Sequence, residues 1–507
     1  MSLGRARSIA LVGLTGVPID IEVDVVSGLP AIRLVGLADR AVNEAIDRVR
    51  SAVTNSEFAF PAQRVTISLS PAALPKSGST FDLPIAMACL ASLGLASAEA
   101  MVNTVFIGEL ALDGRLRPTA GILPAVLAAR TLGIGRVVVP RANLAEAQLV
   151  SGITVVGVSS LREAVEPGHV DAQAILHADE VDVVVDSVAR NFDLSDVIGV
   201  ETAVEALVVA AVGGHNLFMV GPPGAGKTML ASRLSGILPP LTEEEALEVA
   251  AIQSLVEGAR RRVDLDRAPP FQAPHHTLSA AGMVGGGAGV ARPGVAVRAH
   301  RGVLFLDEAP EFATNVLDCL RQPLESGRIS LHRAAFTVEF PSAFQLVLAA
   351  NPCPCGQSAS GNDVRCECTG VQRRRYLARL SGPLMDRVDL HVTVPRTTVA
   401  LRSELTSTIT SANARARVTA ARAAAVERWG IGGNARVPGT VLRGKRYRLA
   451  ARETAPIDIA LRRGDITMRG YDRVLRVAWS LADLDGVTTP NASHIGRALY
   501  FRKGINQ

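Results

Sequence analysis

A chain of 507 residues is too long for one hydrophobic core, and with 48% hydrophobic and 20% charged residues it is expected to fold as several well-packed domains. A formal net charge of +5 and a pI near 9.0 suit a nucleic-acid partner without demanding one, because the excess is small for this size. No apolar run approaches the roughly 18 residues of a membrane span, and six cysteines are too few for a disulfide scaffold, so a cytoplasmic protein with no membrane partner is expected.

From the N-terminus, strand-like and helical stretches alternate. IDIEVDVV (19–26) and RVTISLSPA (64–72) have the period of strands, and residues 39–51 and 83–93 that of helices. PKSGSTFDLPIAMA (75–88) and GELALDGRLRPTAGILPAVLAA (108–129) resemble the proteolytic domain of Lon and its relatives, which implies an α+β domain over residues 1–170. In that family the two passages carry a catalytic serine and lysine. Here those positions hold Thr80 and Leu123. Leucine can neither deprotonate a nucleophile nor stabilise its alkoxide. A domain that keeps the fold without the peptidase is expected, serving assembly or nucleic-acid contact. An acidic stretch with little turn chemistry follows, and 171–190 reads as a linker, although VDVVVD within it has strand character.

GPPGAGKT (221–228) has the spacing G-x-x-x-x-G-K-[ST] between a buried strand (NLFMV, 216–220) and a helix opening near Met229. Gly221, Pro222, Pro223, Gly224, Ala225 and Gly226 free backbone N–H groups to surround a polyphosphate. Lys227 reaches the β- and γ-phosphates, Thr228 offers a hydroxyl to Mg²⁺, and the helix directs its positive end at the anion. ATP and Mg²⁺ are the expected ligands. Upstream, FDLSDVIGV (192–200) precedes a helix over 201–213; Ile198 and Gly199 fit an adenine-contacting segment, and a helix-entry turn would read the same way. Downstream, GVLFLDEAPEF (302–312) is an apolar strand ending in two carboxylates. Asp307 suits Mg²⁺ through water, and Glu308 suits polarising the attacking water. FQLVLAANPCPCG (344–356) is another buried strand ending at Asn351, which fits a sensor of the γ-phosphate and equally a turn starter before proline. In SGPLMDRVDLHVTVP (381–395), Arg387 fits a finger donated across a subunit interface, or a surface arginine paired to Asp386 or Asp389.

FQAPHHTLSAAGMVGGG, PGVAVRAHRGVLFLDEAPEF, NPCPCG and SGPLMDRVDLHV together resemble the YifB/ComM family of magnesium-chelatase-like AAA+ ATPases over nearly the whole chain. Ala309 stands where that family usually has leucine. The resemblance implies a parallel-sheet AAA+ core over 191–398, a helical lid over 399–507, and a hexameric ring that moves on single-stranded or branched DNA as a branch-migration helicase in recombination and natural transformation. The alternative is a chelatase-type ATPase that remodels a protein partner without moving DNA. LESGRISLHR (324–333) reads as a hairpin around Ser326-Gly327 and resembles a pre-sensor hairpin, with Arg328, His332 and Arg333 facing phosphates; residues 274–301, with His275, His276, Arg292 and Arg298, resemble a second pore-facing insertion. Solvated loops would have the same composition. Within AAA+ lids an arginine reaches the γ-phosphate, and TMRGYDRVLRVAWSLADL (467–484) offers Arg469, with Arg473 as runner-up and a solvated basic stripe as the alternative.

Cys353, Cys355, Cys366 and Cys368 bring four thiols within sixteen positions. A short loop can close them around tetrahedral Zn²⁺, although C-x-C is tighter than the usual C-x₂-C and free thiols remain the alternative. Cys89 and Cys319 lie in helical apolar patterns and are expected in the core.

Overall fold

The computed structural model describes residues 3–36, 40–72, 74, 76, 78–97, 101–166, 192–257, 265–287, 291–332, 337–358, 366–396 and 409–503. The expected linker with its VDVVVD run, and Arg333, lie outside the described residues.

Alternating sequence builds the first sheet. Strands β1 (Gly4–Val12) and β2 (Thr15–Val26) pair antiparallel through a tight turn at Gly13, whose φ of 67° is the left-handed conformation glycine adopts readily. Ile19, Ile21 and Val23 are fully buried on one face, and Asp20 and Asp24 are exposed on the other. Cross-strand pairs Arg5–Glu22 and Arg7–Asp20 neutralise the outer face. With β3 (Ala31–Val35), β4 (Arg64–Ser70), β5 (Thr104–Phe106), β8 (Arg136–Pro140) and β9 (Thr154–Val158) they form a mixed seven-stranded sheet in the order β3-β4-β2-β1-β5-β8-β9; β6 (Glu109–Leu110) and β7 (Leu116–Arg117) make a separate short pair. Helices α1 (Arg40–Asn55), α2 (Asp82–Ser92) and α3 (Ile122–Thr131) accompany it. Every residue from Asp82 to Leu90 is buried, and each fully buried large aliphatic side chain contributes roughly 1.5–3 kcal/mol.

The second sheet is all parallel, in the order β11-β14-β17-β10-β18, from β10 (Leu217–Val220), β11 (Phe271–Gln272), β14 (Val303–Leu306), β17 (Gln345–Ala350) and β18 (Leu390–Thr393). The unbroken apolar runs in β10, β14 and β17 follow from burial on both faces. Helices α4 (Glu201–Gly213), α5 (Lys227–Ile237) and α6 (Glu243–Glu257) belong to this half, with the short pair β12 (Gly285–Gly286) and β13 (Arg292–Pro293) and the hairpin β15 (Arg328–His332) and β16 (Thr337–Pro341). The C-terminal region is helical: α7 (Ser411–Trp429), α8 (Ala451–Arg462), α9 (Met468–Leu484) and α10 (Ala492–Lys503). Trp479 is buried against Trp429 and Tyr447, and the same apolar cluster runs through α4, α5, α7 and α9.

The two sheet regions share surface. Leu247, Ala250 and Ala251 of α6 are buried with Ile122 and Val126 of α3, and the Gly121 N–H donates to the Ser254 carbonyl at 3.0 Å. At Gly13 an added Cβ would lie 2.8 Å from the Glu339 carbonyl, so the β1–β2 turn rests on the β15–β16 hairpin. Among the described residues no helix is long and apolar enough to cross a membrane.

Candidate active site

The phosphate loop begins where β10 ends. Gly221 sits so close to β18 that a Cβ would lie 2.3 Å from the Val394 carbonyl, and its N–H donates to the Ala350 carbonyl at the end of β17. Gly224 and Gly226 have φ of 77° and 89°, and space is open at Gly224. The N-cap of α5 is Gly226, with no side chain capping it and no acidic residue in the first turn. An uncapped helix N-terminus behind a glycine loop is the arrangement that receives phosphate oxygens.

Strand ends deliver the remaining groups. The Lys227 Nζ donates to the Gly221 carbonyl at 2.6 Å, to the Pro222 carbonyl at 3.1 Å and to Asn351 Oδ1 at 3.1 Å. Burial lowers the Lys227 pKa, opposed by the carboxylates of Asp307 and Glu308. Thr228 Oγ1 donates to Asp307 Oδ2 at 2.6 Å, so a hydroxyl and a carboxylate, both hard oxygen donors, converge from α5 and β14 as Mg²⁺ requires. Asp307 Oδ1 accepts from the Glu308 N–H at 2.9 Å. Glu308 has φ 48° and ψ 43°, a left-handed conformation that costs a non-glycine residue about 1–3 kcal/mol. Lys227, Thr228, Asp307, Glu308 and Asn351 are therefore brought to the C-terminal ends of three adjacent parallel strands, where such sheets bind ligands. Ala225 is buried in the loop, and Met229 is partly exposed in the first turn of α5.

Two neighbours were not anticipated. His276 Nδ1 lies 3.6 Å from Glu308 Oε2, its ring 4.1 Å from that of His275 and edge-on to Phe312. The sequence places His275 and His276 in a segment that resembles a pore-facing insertion, and nothing in it sets His276 beside Glu308. Tyr376 is buried against the Asn351 backbone, and burial followed by the charge of Glu311 pushes its hydroxyl up to about 12.

Ile198 and Gly199, the latter at φ 76°, precede α4 on a segment tied at both sides. Arg233 of α5 donates to the Asp193 carbonyl and pairs with Asp196, and the Asp193 carboxylate accepts from the Ser411 N–H at the start of α7. Arg387 pairs with Glu325 and donates to the Pro383 carbonyl, rather than pairing with either flanking aspartate. Asp389 is instead engaged by His215 and Arg473. With Arg473 held there, Arg469 is the exposed arginine in the first turn of α9.

The expected hairpin exists with a different turn. Ser326-Gly327 is the C-terminus of a helix (Arg321–Ser326), with Gly327 as its left-handed cap at φ 68°, and the strands pair from Arg328–Pro341 to His332–Thr337. Glycine satisfies a left-handed cap as readily as a hairpin turn, which is why the residues misled. Arg328 is exposed and 3.3 Å from Glu339, and His332 Nδ1 meets Thr337 Oγ1 at 3.1 Å. In the N-terminal sheet region Leu123 is fully buried, and Asp82, two residues past Thr80, takes a paired contact from Arg48 at 2.8 and 3.0 Å. Cys89 is buried, whereas Cys319 is only half-buried, at the end of a short helix. The thiols of Cys353, Cys355, Cys366 and Cys368 all lie within 4.8 Å of one another.

Three family models match in succession: "Subunit ChlI of Mg-chelatase" over residues 21–143, "Magnesium chelatase, subunit ChlI" over 193–401, and "Magnesium chelatase, subunit ChlI C-terminal" over 408–502. An uncharacterized protein of Mycobacterium tuberculosis is 48% identical over 99% of both chains. Competence protein ComM of Haemophilus influenzae is 40% identical over 99% of this chain and 98% of its own, and YifB of Escherichia coli is 40% identical over 99% and 97%. Identity of this extent, over a site of this geometry, establishes that the chain belongs to the YifB/ComM family of magnesium-chelatase-like AAA+ ATPases.

Proposed function

We propose that this ATPase is a hexameric ring that converts ATP hydrolysis into movement on single-stranded or branched DNA. The observation that carries the hydrolytic half is the convergence of Lys227, Thr228, Asp307, Glu308 and Asn351 at three strand ends. Lys227 and the loop N–H groups hold the phosphates, and Thr228 and Asp307 hold Mg²⁺. Bound there, the metal neutralises charge on the β- and γ-phosphates. Glu308 draws a proton from the attacking water, Asn351 orients that water, and Ile198 and Gly199 lie against the base. Arg387 of one copy and Arg469 of the lid supply positive charge, Arg387 exchanging Glu325 for the neighbour's nucleotide.

The DNA half rests on Arg328 and His332, which are exposed on the β15–β16 hairpin, with Arg333 following in sequence. ATP turnover measured with and without single-stranded or forked DNA tests it: stimulation is expected, and none at low salt would refute it. Arg328→Ala is expected to lower the slope of log affinity against log salt by about 0.7 on single strands. A slope equal to that of the unsubstituted protein removes Arg328 from the surface. A chelatase-type remodeller of a protein partner remains the second reading, favoured by the three chelatase family matches, and it predicts turnover indifferent to DNA.

The N-terminal region serves assembly or DNA contact without peptidase chemistry. Protein supplied with ATP is expected to leave unfolded casein intact, and Thr80→Ala to change nothing. ATP-dependent cleavage that Thr80→Ala abolishes would overturn this assignment.

A further inference from the structure

We propose that Cys353, Cys355, Cys366 and Cys368 hold one Zn²⁺ as thiolates, and that this metal clamps the phosphate loop, so that its occupancy sets the rate of ATP turnover. The clamp is a regulatory part of the ATPase site and rests on that reading for its effect on turnover, though not for its effect on the loop.

The first support is the shape of the cluster. A tetrahedral site with Zn–S bonds of about 2.3 Å has sulfur–sulfur edges of about 3.8 Å. The Sγ of Cys366 lies 3.7 Å from those of both Cys353 and Cys355, and Cys353 and Cys355 are 3.3 Å apart. Soft sulfur donors in that shape select zinc over the hard cation of the nucleotide site. Among the described residues between Pro352 and Thr369 there is no helix or strand, so metal–thiolate bonds would hold this stretch where backbone pairing does not.

The second support is what the cluster touches. Cys353 follows Asn351 by two residues, and its carbonyl accepts from the Gly356 N–H at 3.0 Å. Gly356 has φ 73°, and a Cβ there would lie 2.7 Å from Pro223 Cγ, so the backbone of the thiol loop stands on the phosphate loop itself. At the far end, Arg373 donates to the Cys368 carbonyl and to Ser358 Oγ, both at 3.2 Å. Arg373 belongs to the helix Gly370–Leu377, whose Tyr376 packs on the Asn351 backbone. One metal would thus pin two routes to the γ-phosphate position: through Gly356 to Pro223, and through Tyr376 to Asn351. Displacing reacting groups by an ångström costs about 10²-fold in rate, which is the scale available to such a clamp.

The test uses the full chain purified without chelator. About one zinc per chain is expected by metal analysis, released on titration of the thiols with a mercurial. Cys366→Ser is expected to lose the metal, to raise hydrogen exchange across residues 221–228, and to lower ATP turnover by about tenfold or more with nucleotide still bound. Gly356→Ala is expected to keep the metal and lower turnover by displacing Pro223, which preserves the test if Cys366→Ser does not fold. No metal, or iron in its place, overturns the site; zinc removal that leaves exchange across 221–228 unchanged overturns the clamp. Failure of the ATPase reading is distinguishable, because it would abolish turnover in zinc-loaded protein while the exchange response persisted.

Discussion

Glu308→Gln is expected to leave nucleotide bound and to lower ATP turnover by about 10²- to 10⁴-fold, the range that a positioned general base contributes. The substitution keeps the size and hydrogen-bonding capacity of the side chain and removes only its ability to take a proton. The position itself points to that role. β14 delivers Asp307 and then turns sharply, with Glu308 in a left-handed conformation that a glutamate adopts only under constraint. The N–H of Glu308 is spent on Asp307, and its carboxylate is half exposed beside His276. Lys227 and Thr228, proposed above to hold the phosphates and Mg²⁺, are untouched by the substitution. Binding of a fluorescent nucleotide and single-turnover hydrolysis, measured on the same sample, separate the two functions. Hydrolysis retained in Glu308→Gln would remove the residue from the base role.

Asp389→Ala is expected to destabilise the fold by about 3–5 kcal/mol, because it strands a buried charge rather than merely deleting a contact. Asp389 is 4% exposed and receives hydrogen bonds from Arg473 Nη1 at 2.5 Å, from the His215 ring at 3.3 Å and from the Asn216 N–H at 3.3 Å. Burial on its own would raise its carboxyl. The hydrogen bond from His215 and the Arg473 guanidinium instead hold it well below the usual carboxylate range. A folded-state pKa below the unfolded one means that this stabilisation is complete above the ordinary value of 3.8 and fades as the pH falls below it. Denaturant unfolding of Asp389→Ala measures the loss. Adding Arg473→Met, which removes the stranded cation, is expected to recover much of it, and a cost under 1 kcal/mol for Asp389→Ala would show that the pair does not hold the lid. The network joins the loop before β10, the residue before β18 and the middle of α9, so it fixes the lid helix whose first turn presents Arg469 one turn away.

Local chemistry was legible wherever one stretch of chain decides the outcome. The glycine loop, the apolar strand ending in Asp307-Glu308, and the helix Glu201–Gly213 all stand where their residue patterns put them. So does the alternation of Ile19, Ile21 and Val23 in β2. What could not be read depends on distant partners. Arg469 and Arg473 share a helix face, and only Asp389, from another part of the chain, separates their environments. His276, read from the sequence as part of a pore-facing insertion, is tied to the nucleotide site only when β14 brings Glu308 beside it. The spacing of the four cysteines was plain, but nothing local announced that Gly356 stands on Pro223. Ser326-Gly327 failed for a different reason: the left-handed glycine that ends a helix and the one that turns a hairpin obey the same backbone requirement.

Displacement of a labelled strand from a forked duplex, with ATP against a non-hydrolysable analogue, tests the central claim most directly. Displacement with ATP alone, abolished in Glu308→Gln, is the predicted result. ATP hydrolysis that proceeds at the same rate with or without the fork, and releases no strand, would contradict it.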